Sequence, residues 1–482
     1  MSAQKEVFSS KLGMILSVLG IAVGTGNIWR FPRIAAQNGG EDGAGAFLIA
    51  WAVFLIMWSI PLIIAEYGIG RNGRKGVVQS FADLIGEKKG WMGGFVGFVA
   101  TAIMFYYSVV AGWCLYYLTQ AIFAPLPETA DQALGIWNSF QGSNWPILTH
   151  ATVMLLGGYI VLKGIKSIEK VNKILIPSLL VVLVISLGKA LTLEGSGIGI
   201  KYLFTPDWSD LTNPNLWLEA LTQNAWDTGA AWGLILTYAT YMRKQDDITI
   251  SAFQTGIGNN LVSITAAVII FSTVFGTLSS TMSNSEILDV MKTSGPASTG
   301  LTFIWMPRLF ATMGGGGIFS ILFFLGLTFA AFSSLISMIE LATKVFVDAG
   351  ATRKKATIFI CVFGFAFGIP SAMNLTFFAN QDFVWGVGLM VSKFRTELVN
   401  TAERSTTLGP WWEIVLKYVV PVEVVTLLGW WMYLSATEYA PDSWYNPLSA
   451  FSVATVLCQW AIAIFLVKFF NKKLVTNNSK TE

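Results

Sequence analysis

Two long apolar stretches of the chain carry polar and ionisable residues where a membrane-spanning helix would have none. The first is GTGNIWR at positions 24–30, and the second is QNAWDTGAAWG at positions 223–233. Ionisable groups inside a membrane are costly and usually serve a function. Carbonyl, amide and carboxylate oxygens are ligands for a hard cation. Backbone N–H groups freed at the start of a half-helix can bind a carboxylate. These residue types therefore fit the binding of a cation together with a carboxylate.

A packing role for the glycines is the alternative. Gly20 and Gly24 have the spacing of a small-residue seam, along which two membrane helices approach closely. That interpretation does not account for Asn27, Arg30 and Asp227 at the same depth. Unwound backbone at membrane depth is tolerated only where it lines a cavity. We therefore favour two interrupted helices around a cavity over a packing seam.

The composition indicates a multi-pass membrane protein. The chain has 482 residues, of which 54% are hydrophobic and 12% are charged. Soluble domains average roughly 25% charged residues. The net charge of +3 is too small to indicate a nucleic-acid partner. The expected partners are the lipid bilayer and a small molecule, and the sequence leaves the oligomeric state open.

Hydropathy divides the chain into about twelve apolar segments, each near the length of about 20 residues that a span needs. They lie at 12–37, 47–70, 92–123, 147–164, 172–190, 217–241, 251–278, 317–347, 356–372, 382–402, 412–435 and 447–470. Strand-like alternation is absent and helices satisfy their own backbone in lipid, so we expect an all-α bundle. The Lys and Arg residues concentrate in alternate loops, which predicts a cell-membrane protein with both termini in the cytoplasm.

The two polar interruptions fall in the first and the sixth segments. Interrupted spans at matching positions of two five-helix halves are the best pointer to a transport site. We therefore predict an N-terminal repeat at 1–190, an inverted repeat at 191–402, and two peripheral helices with a tail at 403–482. No nucleophile–base pair or cluster of metal ligands is apparent, and His150 lies far from the interruptions. An enzyme is therefore not expected.

The chain resembles the neurotransmitter:sodium symporters. The stretch 24–32 carries the most specific motif, and further motifs follow in order at Asn38-Gly39-Gly40, Tyr106-Tyr107, Thr237-Tyr238 and Pro370-Ser371. The resemblance covers nearly the whole chain. It implies two inverted five-helix repeats with broken first and sixth helices, plus two peripheral helices. It also implies sodium-coupled symport by alternating access, in which the site opens to one side at a time.

The resemblance implies that the substrate is a small neutral, apolar amino acid. Family members that take amines carry an aspartate where this chain has Gly24, so the substrate here should bring its own carboxylate. That carboxylate would bind the N–H groups near Thr25 and Gly26 and the hydroxyl of Tyr107. The implied substrate-binding residues are Ile21, Ala22, Gly24, Thr25, Gly26, Ile103, Tyr107, Trp226, Gly229, Trp232, Leu335 and Met338.

Two sodium sites are implied by the same resemblance. The first would use the Ala22 carbonyl, Asn27, Asn259 and the substrate carboxylate, with Asp227 beside it. The second would use carbonyls of Gly20, Val23 and Ala330 and hydroxyls of Ser333 and Ser334. Hydroxyls in a helix can instead bond back to a carbonyl one turn earlier, which is the alternative for the two serines.

Asp227 departs from the family pattern, which usually has Ser or Thr at this position. Our hypothesis is that its carboxylate supplies the negative charge that chloride supplies in other members, so that chloride is not required. A buried carboxylate needs a cation as partner. Sodium is the first candidate, and a proton on a neutral Asp227 is the alternative. An amino-acid-binding channel or sensor is a further alternative to a transporter.

Gating residues are also carried over from the family. Arg30 and Asp382 would form an outer pair above the substrate. Lys5 and Asp348 would form an inner pair, with Tyr241 bracing it. Glu66 on the second segment is expected to bond the unwound backbone of the sixth.

Overall fold

The protein is an α-helical bundle. The computed structural model describes residues 6–40, 42–292, 300–392 and 411–475. Within these residues, nine helices are long and apolar enough to cross a membrane without a break. They are Gly45–Gly73, Glu87–Phe123, Trp145–Leu162, Ile165–Ala190, Ile248–Leu278, Gly316–Asp348, Arg353–Met373, Trp411–Tyr439 and Val453–Leu474.

Three further segments complete the predicted set of spans. The first span consists of Lys11–Ala22 and Gly26–Gln37, which are bent against each other by 54°. The sixth consists of Pro214–Asp227 and Leu234–Ala239, and the tenth is Leu375–Ser392. The predicted all-α class, with its broken first and sixth spans, is thereby confirmed.

Three predicted starts of spans were wrong. The fifth span begins at Ile165 rather than 172, the tenth at Leu375 rather than 382, and the twelfth at Val453 rather than 447. Lysines and Glu169 in the first turns of the fifth helix lower its hydropathy, although the helix continues through them. Asn380 and Gln381 have the same effect in the tenth. The division at 1–190, 191–402 and 403–482 stays a prediction.

Short helices connect the spans. In the described part of the chain they are Val77–Ile85, Ala130–Gln141, Ser196–Phe204, Trp208–Thr212, Asn284–Lys292 and Leu301–Ala311. The third span lies at the centre, since 83% of its apolar window is buried. The eleventh lies at the periphery, with 22% of its window buried.

Local backbone geometry explains both breaks. The first helix stops at Val23, whose backbone is extended with φ −78° and ψ 92°. In the sixth span, Gly229, Ala231 and Gly233 have φ of 63°, 62° and 76°. This left-handed region suits glycine and cannot continue a right-handed helix. The strained Ala231 therefore depends on its surroundings to hold the loop in place.

Candidate functional site

Glu66 of the second span satisfies the unwound backbone of the sixth. Its two carboxylate oxygens accept hydrogen bonds from the N–H groups of Gly233 at 3.0 Å and Leu236 at 2.8 Å. Both N–H groups lie at the start of Leu234–Ala239, the inner half-helix of the sixth span. The first N–H groups of a helix have no partner within the helix. The predicted role of Glu66 is confirmed by these contacts.

We expect Glu66→Gln to destabilise the fold, because an amide offers one acceptor oxygen for these two donors. A buried donor left without a partner costs about 1–3 kcal/mol. The melting temperature of the purified protein should fall by several degrees, measured by thermal unfolding in detergent. Glu128→Gln makes the same change on an exposed side chain and should leave it unaltered. Equal melting of both variants would contradict this role.

A chain of hydrogen bonds fixes the orientation of two amides beside the first break. The N–H of Gly24 donates to Asn27 Oδ1 at 2.8 Å, so the Nδ2 of Asn27 is the end that donates onward. That Nδ2 donates to Asn259 Oδ1 at 2.8 Å and to Ser263 Oγ at 2.8 Å. The Asn259 oxygen must therefore point toward the break. All these side chains are fully buried.

This orientation gathers oxygens that have no donor between them. The Asn259 Oδ1 position lies 3.1 Å from the carbonyl oxygen of Ala22 and 3.1 Å from that of Asp227. Carbonyl oxygens cannot donate, so three acceptors converge at the junction of the two broken spans. A hard cation satisfies such an arrangement. Ala22, Asn27, Asn259 and Asp227, predicted for the first sodium site, are brought together here.

The part played by the Asp227 backbone was not predicted from the sequence. Asp227 is the last residue of the outer half-helix, so its carbonyl lacks an intrahelical donor. Its carboxylate accepts from Gln223 Nε2 at 2.6 Å and from Ser263 Oγ at 3.3 Å. Through Ser263 the carboxylate is thus linked to Asn27. The sequence signal for this carbonyl would have been the end of the outer half-helix at Asp227, since the last carbonyls of a helix lack partners.

Residues predicted for the second sodium site lie close together around Ser334. Its hydroxyl lies 3.2 Å from the Gly20 carbonyl and 3.2 Å from the Ala330 carbonyl, which joins the first and eighth spans. Ser333 bonds to Ala330 at 3.0 Å, the local contact of the alternative interpretation. Val23 is buried at the end of the first half-helix.

The predicted carboxylate site lies at the same break. The hydroxyl of Tyr107 is 3.4 Å from both the backbone nitrogen and the hydroxyl of Thr25. A Cβ at Gly24 would lie 3.1 Å from that hydroxyl and 3.1 Å from Ser334 Oγ. Position 24 therefore has little room for a side chain. A Cβ at Gly26 would lie 3.3 Å from Asp227 Oδ1, so Gly26 faces the sixth span.

Apolar side chains surround this position. A Cβ at Gly229 would lie 3.1 Å from Ile21, which places the two breaks side by side. Trp226 and Trp232 pack edge to face with ring centroids 5.5 Å apart. The remaining predicted wall residues are buried in the same core, namely Ile103, Leu335 and Met338.

The predicted outer pair is not formed in this structure. Arg30 donates to Gln223 Oε1 at 2.5 Å and lies 5.8 Å from the ring centre of Trp226. Asp382 is exposed, and among the described side chains no ion pair joins it to Arg30. The Arg30–Asp382 pair therefore stays a prediction for another conformation.

A different network closes the inner side. Arg353 forms an ion pair with Glu340 at 2.7 Å and a second with Glu6 at 3.1 Å. Tyr241 donates to Glu340 at 2.6 Å, and its carbonyl accepts from the N–H of Phe8 at 3.0 Å. The N-terminal segment is thereby held against the sixth and eighth spans.

Only Tyr241 of this network was predicted from the sequence. Asp348 accepts from the N–H of Gly76 at 2.5 Å and from Lys344, while its predicted partner Lys5 lies outside the described residues. Glu340 and Arg353 were missed. An acid within an apolar span is the signal that could have found Glu340.

The two sides of the site are closed to different extents. Phe8 and Tyr241 are 1% and 5% exposed, so the inner side is sealed. Arg30 and Tyr107 are half-buried and Asp382 is exposed, so the outer side is less tightly closed than the inner side. The fold and site define a multi-pass membrane transporter with its binding site between two broken helices.

Comparisons with known proteins identify the family. The model of the sodium:neurotransmitter symporter family matches residues 5–144 and 137–473. The chain belongs to this family, whose members are sodium-coupled transporters and not enzymes.

Individual relatives agree with this assignment. An uncharacterized sodium-dependent transporter of Methanocaldococcus jannaschii is 36% identical over 372 residues, covering 74% of this chain and 72% of that protein. The sodium-dependent neutral amino acid transporter B(0)AT2 of Mus musculus is 30% identical, covering 56% of this chain and 40% of its own. The crystal structure of MhsT in complex with L-phenylalanine superposes with a TM-score of 0.75 at 29% identity. It covers 88% of this chain and 99% of the MhsT chain.

Proposed function

We propose that this protein carries a small neutral, apolar amino acid into the cell together with sodium, by alternating access. The observation that carries the proposal is the convergence of the Ala22, Asp227 and Asn259 oxygens beside the first break. A cation at this position would lie next to Thr25 and Tyr107, where a carboxylate can bind. The cation and the carboxylate then stabilise each other, which couples their binding.

The chemistry of the wall supports a neutral side chain on the substrate. Ile21, Ile103 and Leu335 are apolar, and the carboxylate of Asp227 is already bonded to Gln223 and Ser263. A charged side chain would lack a partner and carry the cost of desolvation. The L-phenylalanine bound to MhsT and the neutral substrates named for B(0)AT2 agree with this class.

The proposal includes two sodium ions and no requirement for chloride. The second ion would lie near Ser334, between the Gly20 and Ala330 carbonyls. The Asp227 carboxylate would supply the negative charge that chloride supplies in other members of the family. The proposal also includes a location in the cell membrane with both termini in the cytoplasm, which the Lys and Arg distribution supports.

Two other functions remain as outcomes of the tests. A proton-coupled transporter would load the buried Asp227 carboxyl with a proton instead of pairing it with sodium. An amino-acid-binding channel or sensor would lack the turnover that labelled-substrate counterflow measures. The sealed inner network, with the outer side less tightly closed, favours alternation over an open channel.

Thermal unfolding of the purified protein tests the proposal. A ligand that binds the folded state raises the melting temperature by mass action. We expect apolar amino acids such as leucine or phenylalanine to raise it in sodium but not in potassium, whereas lysine and glutamate should have no effect. Equal stabilisation in both salts would contradict sodium coupling. Stabilisation by lysine or glutamate would contradict the neutral substrate class.

A further inference from the structure

A second cavity lies apart from the transport site, on the outward face of the sixth span. Its volume is about 400 Å³, and it is formed by side chains of the second, sixth and eleventh spans. Val422, on its rim, is 65% exposed on the surface that faces lipid. The volume falls within the roughly 300–1,000 Å³ that small-molecule sites occupy.

Glu423 is the charged residue of this cavity. Its side chain is 8% exposed, and neither carboxyl oxygen has a hydrogen-bond partner within the described part of the chain. Apart from two threonines, the other lining residues are apolar or aromatic. A buried carboxylate without a partner is expensive, especially at membrane depth. Burial therefore disfavours the charged form of Glu423 unless a cation enters the cavity, whose walls are otherwise apolar apart from the threonines.

The aromatic walls favour one kind of cation. Phe54 and Trp217 lie edge to face with ring centroids 5.9 Å apart, and both line the cavity. The indole nitrogen of Trp217 donates to the Leu211 carbonyl at 2.8 Å, which fixes the ring as part of the wall. Aromatic faces attract ammonium groups, and more strongly where water is excluded. An ammonium is thus matched by a carboxylate and by aromatic rings.

The cavity can be reached from the outer membrane interface. Its sixth-span residues run from Pro214, the first residue of the outer half-helix, to Leu221. At 1.5 Å per residue this distance is about 10 Å. The exposed side chains of Val422 and Val425 continue the apolar surface along the eleventh span. A charged head can thus enter the cavity while an attached chain stays in lipid.

We propose that this cavity binds an amphiphile with a single ammonium group, whose charge pairs with Glu423 and whose chain follows the lipid face of the eleventh span. The volume of the cavity suits one small ligand, whereas a protein partner would need a broad complementary face. Phe54 and Trp217 hold the ligand against the outer half of the sixth span. The site is independent of the sodium and substrate positions.

Binding of tritiated dodecylamine to the immobilised, purified protein tests this proposal by scintillation proximity. We expect saturable binding that unlabelled dodecylamine displaces and dodecanol does not, because the alcohol has the chain without the charge. Glu423→Gln should weaken binding at least tenfold. Glu438→Gln removes an exposed acid near the end of the same span and should not change it.

A second variant covers the case in which Glu423→Gln fails to fold. Leu221→Trp fills the cavity and keeps the charge, so it should abolish binding while stabilisation by sodium and substrate persists. The absence of saturable binding to the wild type, or equal displacement by dodecanol, would overturn the proposal. Unchanged binding in a folded Glu423→Gln variant would overturn it as well.

Discussion

Asp227→Asn should raise the sodium concentration for half-maximal uptake by about tenfold to a hundredfold. The carboxylate is 2% exposed and bonds to Ser263, which in turn accepts from Asn27 at the first break. Asparagine keeps the size and the backbone carbonyl but removes the negative charge. An interaction with a charged group is worth about 1.5–3 kcal/mol, and roughly 1.4 kcal/mol corresponds to a factor of ten.

Chloride separates the possible roles of this charge. Uptake into proteoliposomes should be the same in chloride and gluconate for the wild type, whereas chloride should partly restore the Asp227→Asn variant. Asp442→Asn, an exposed acid outside the spans, is the matched control and should behave as wild type. A wild type that stops working in gluconate would exclude chloride independence. Uptake by the wild type without sodium, driven by a proton gradient, would favour the proton-coupled alternative.

The backbone breaks could be predicted because their cause is local. Glycines cluster at 24–26 and at 229–233, and polar residues accompany them at membrane depth. The left-handed φ of Gly229 and Gly233 is one that glycine adopts without steric cost. Glu66 was predicted for a related reason, since an acid in an apolar span needs donors and a broken helix supplies them. These features depend on few residues and on general rules.

The oxygens of the first break could not be derived in the same way. The direction of the Asn27 amide depends on Gly24 N–H, and that of Asn259 depends on Asn27. These residues come from two spans that are far apart in sequence, so their bonding order exists only in the fold. The carbonyl of Asp227 becomes available only because the helix ends at that residue. Sequence patterns locate such a site to a few residues at best.

Gate pairs are harder to predict because they depend on the conformation. Arg30 and Asp382 were predicted as a pair, but this structure has the outer side less tightly closed than the inner side and Arg30 on Gln223. On the inner side the resemblance directed attention to Lys5 and Asp348, whereas the described contacts centre on Glu340. An ion pair that forms in only one of two conformations shifts the equilibrium toward that conformation and is absent from the other.

Glu340→Gln should open the inner side. Glu340 is fully buried and joins Arg353 of the ninth span to Tyr241 of the sixth. Removing one partner of a buried ion pair costs about 3–5 kcal/mol, because the other charge is left uncompensated. In this protein the cost falls on the state with the sealed inner side. Arg353 and Glu6 can reach water once that side opens, so the equilibrium should shift toward the inward-open state by a hundredfold or more.

Hydrogen exchange measures this shift without further labels. Amides of residues 6–22 should exchange at least tenfold faster in Glu340→Gln, because Phe8 loses its contacts with Tyr241 and the first half-helix begins directly after this segment. Glu87→Gln, an exposed acid at the start of the third span, should exchange as wild type. Sodium should partly restore protection in Glu340→Gln, since its proposed ligands Gly20 and Ala22 lie in the first half-helix. If the melting temperature fell while exchange of 6–22 stayed unchanged, the network would stabilise the fold without acting as the inner gate.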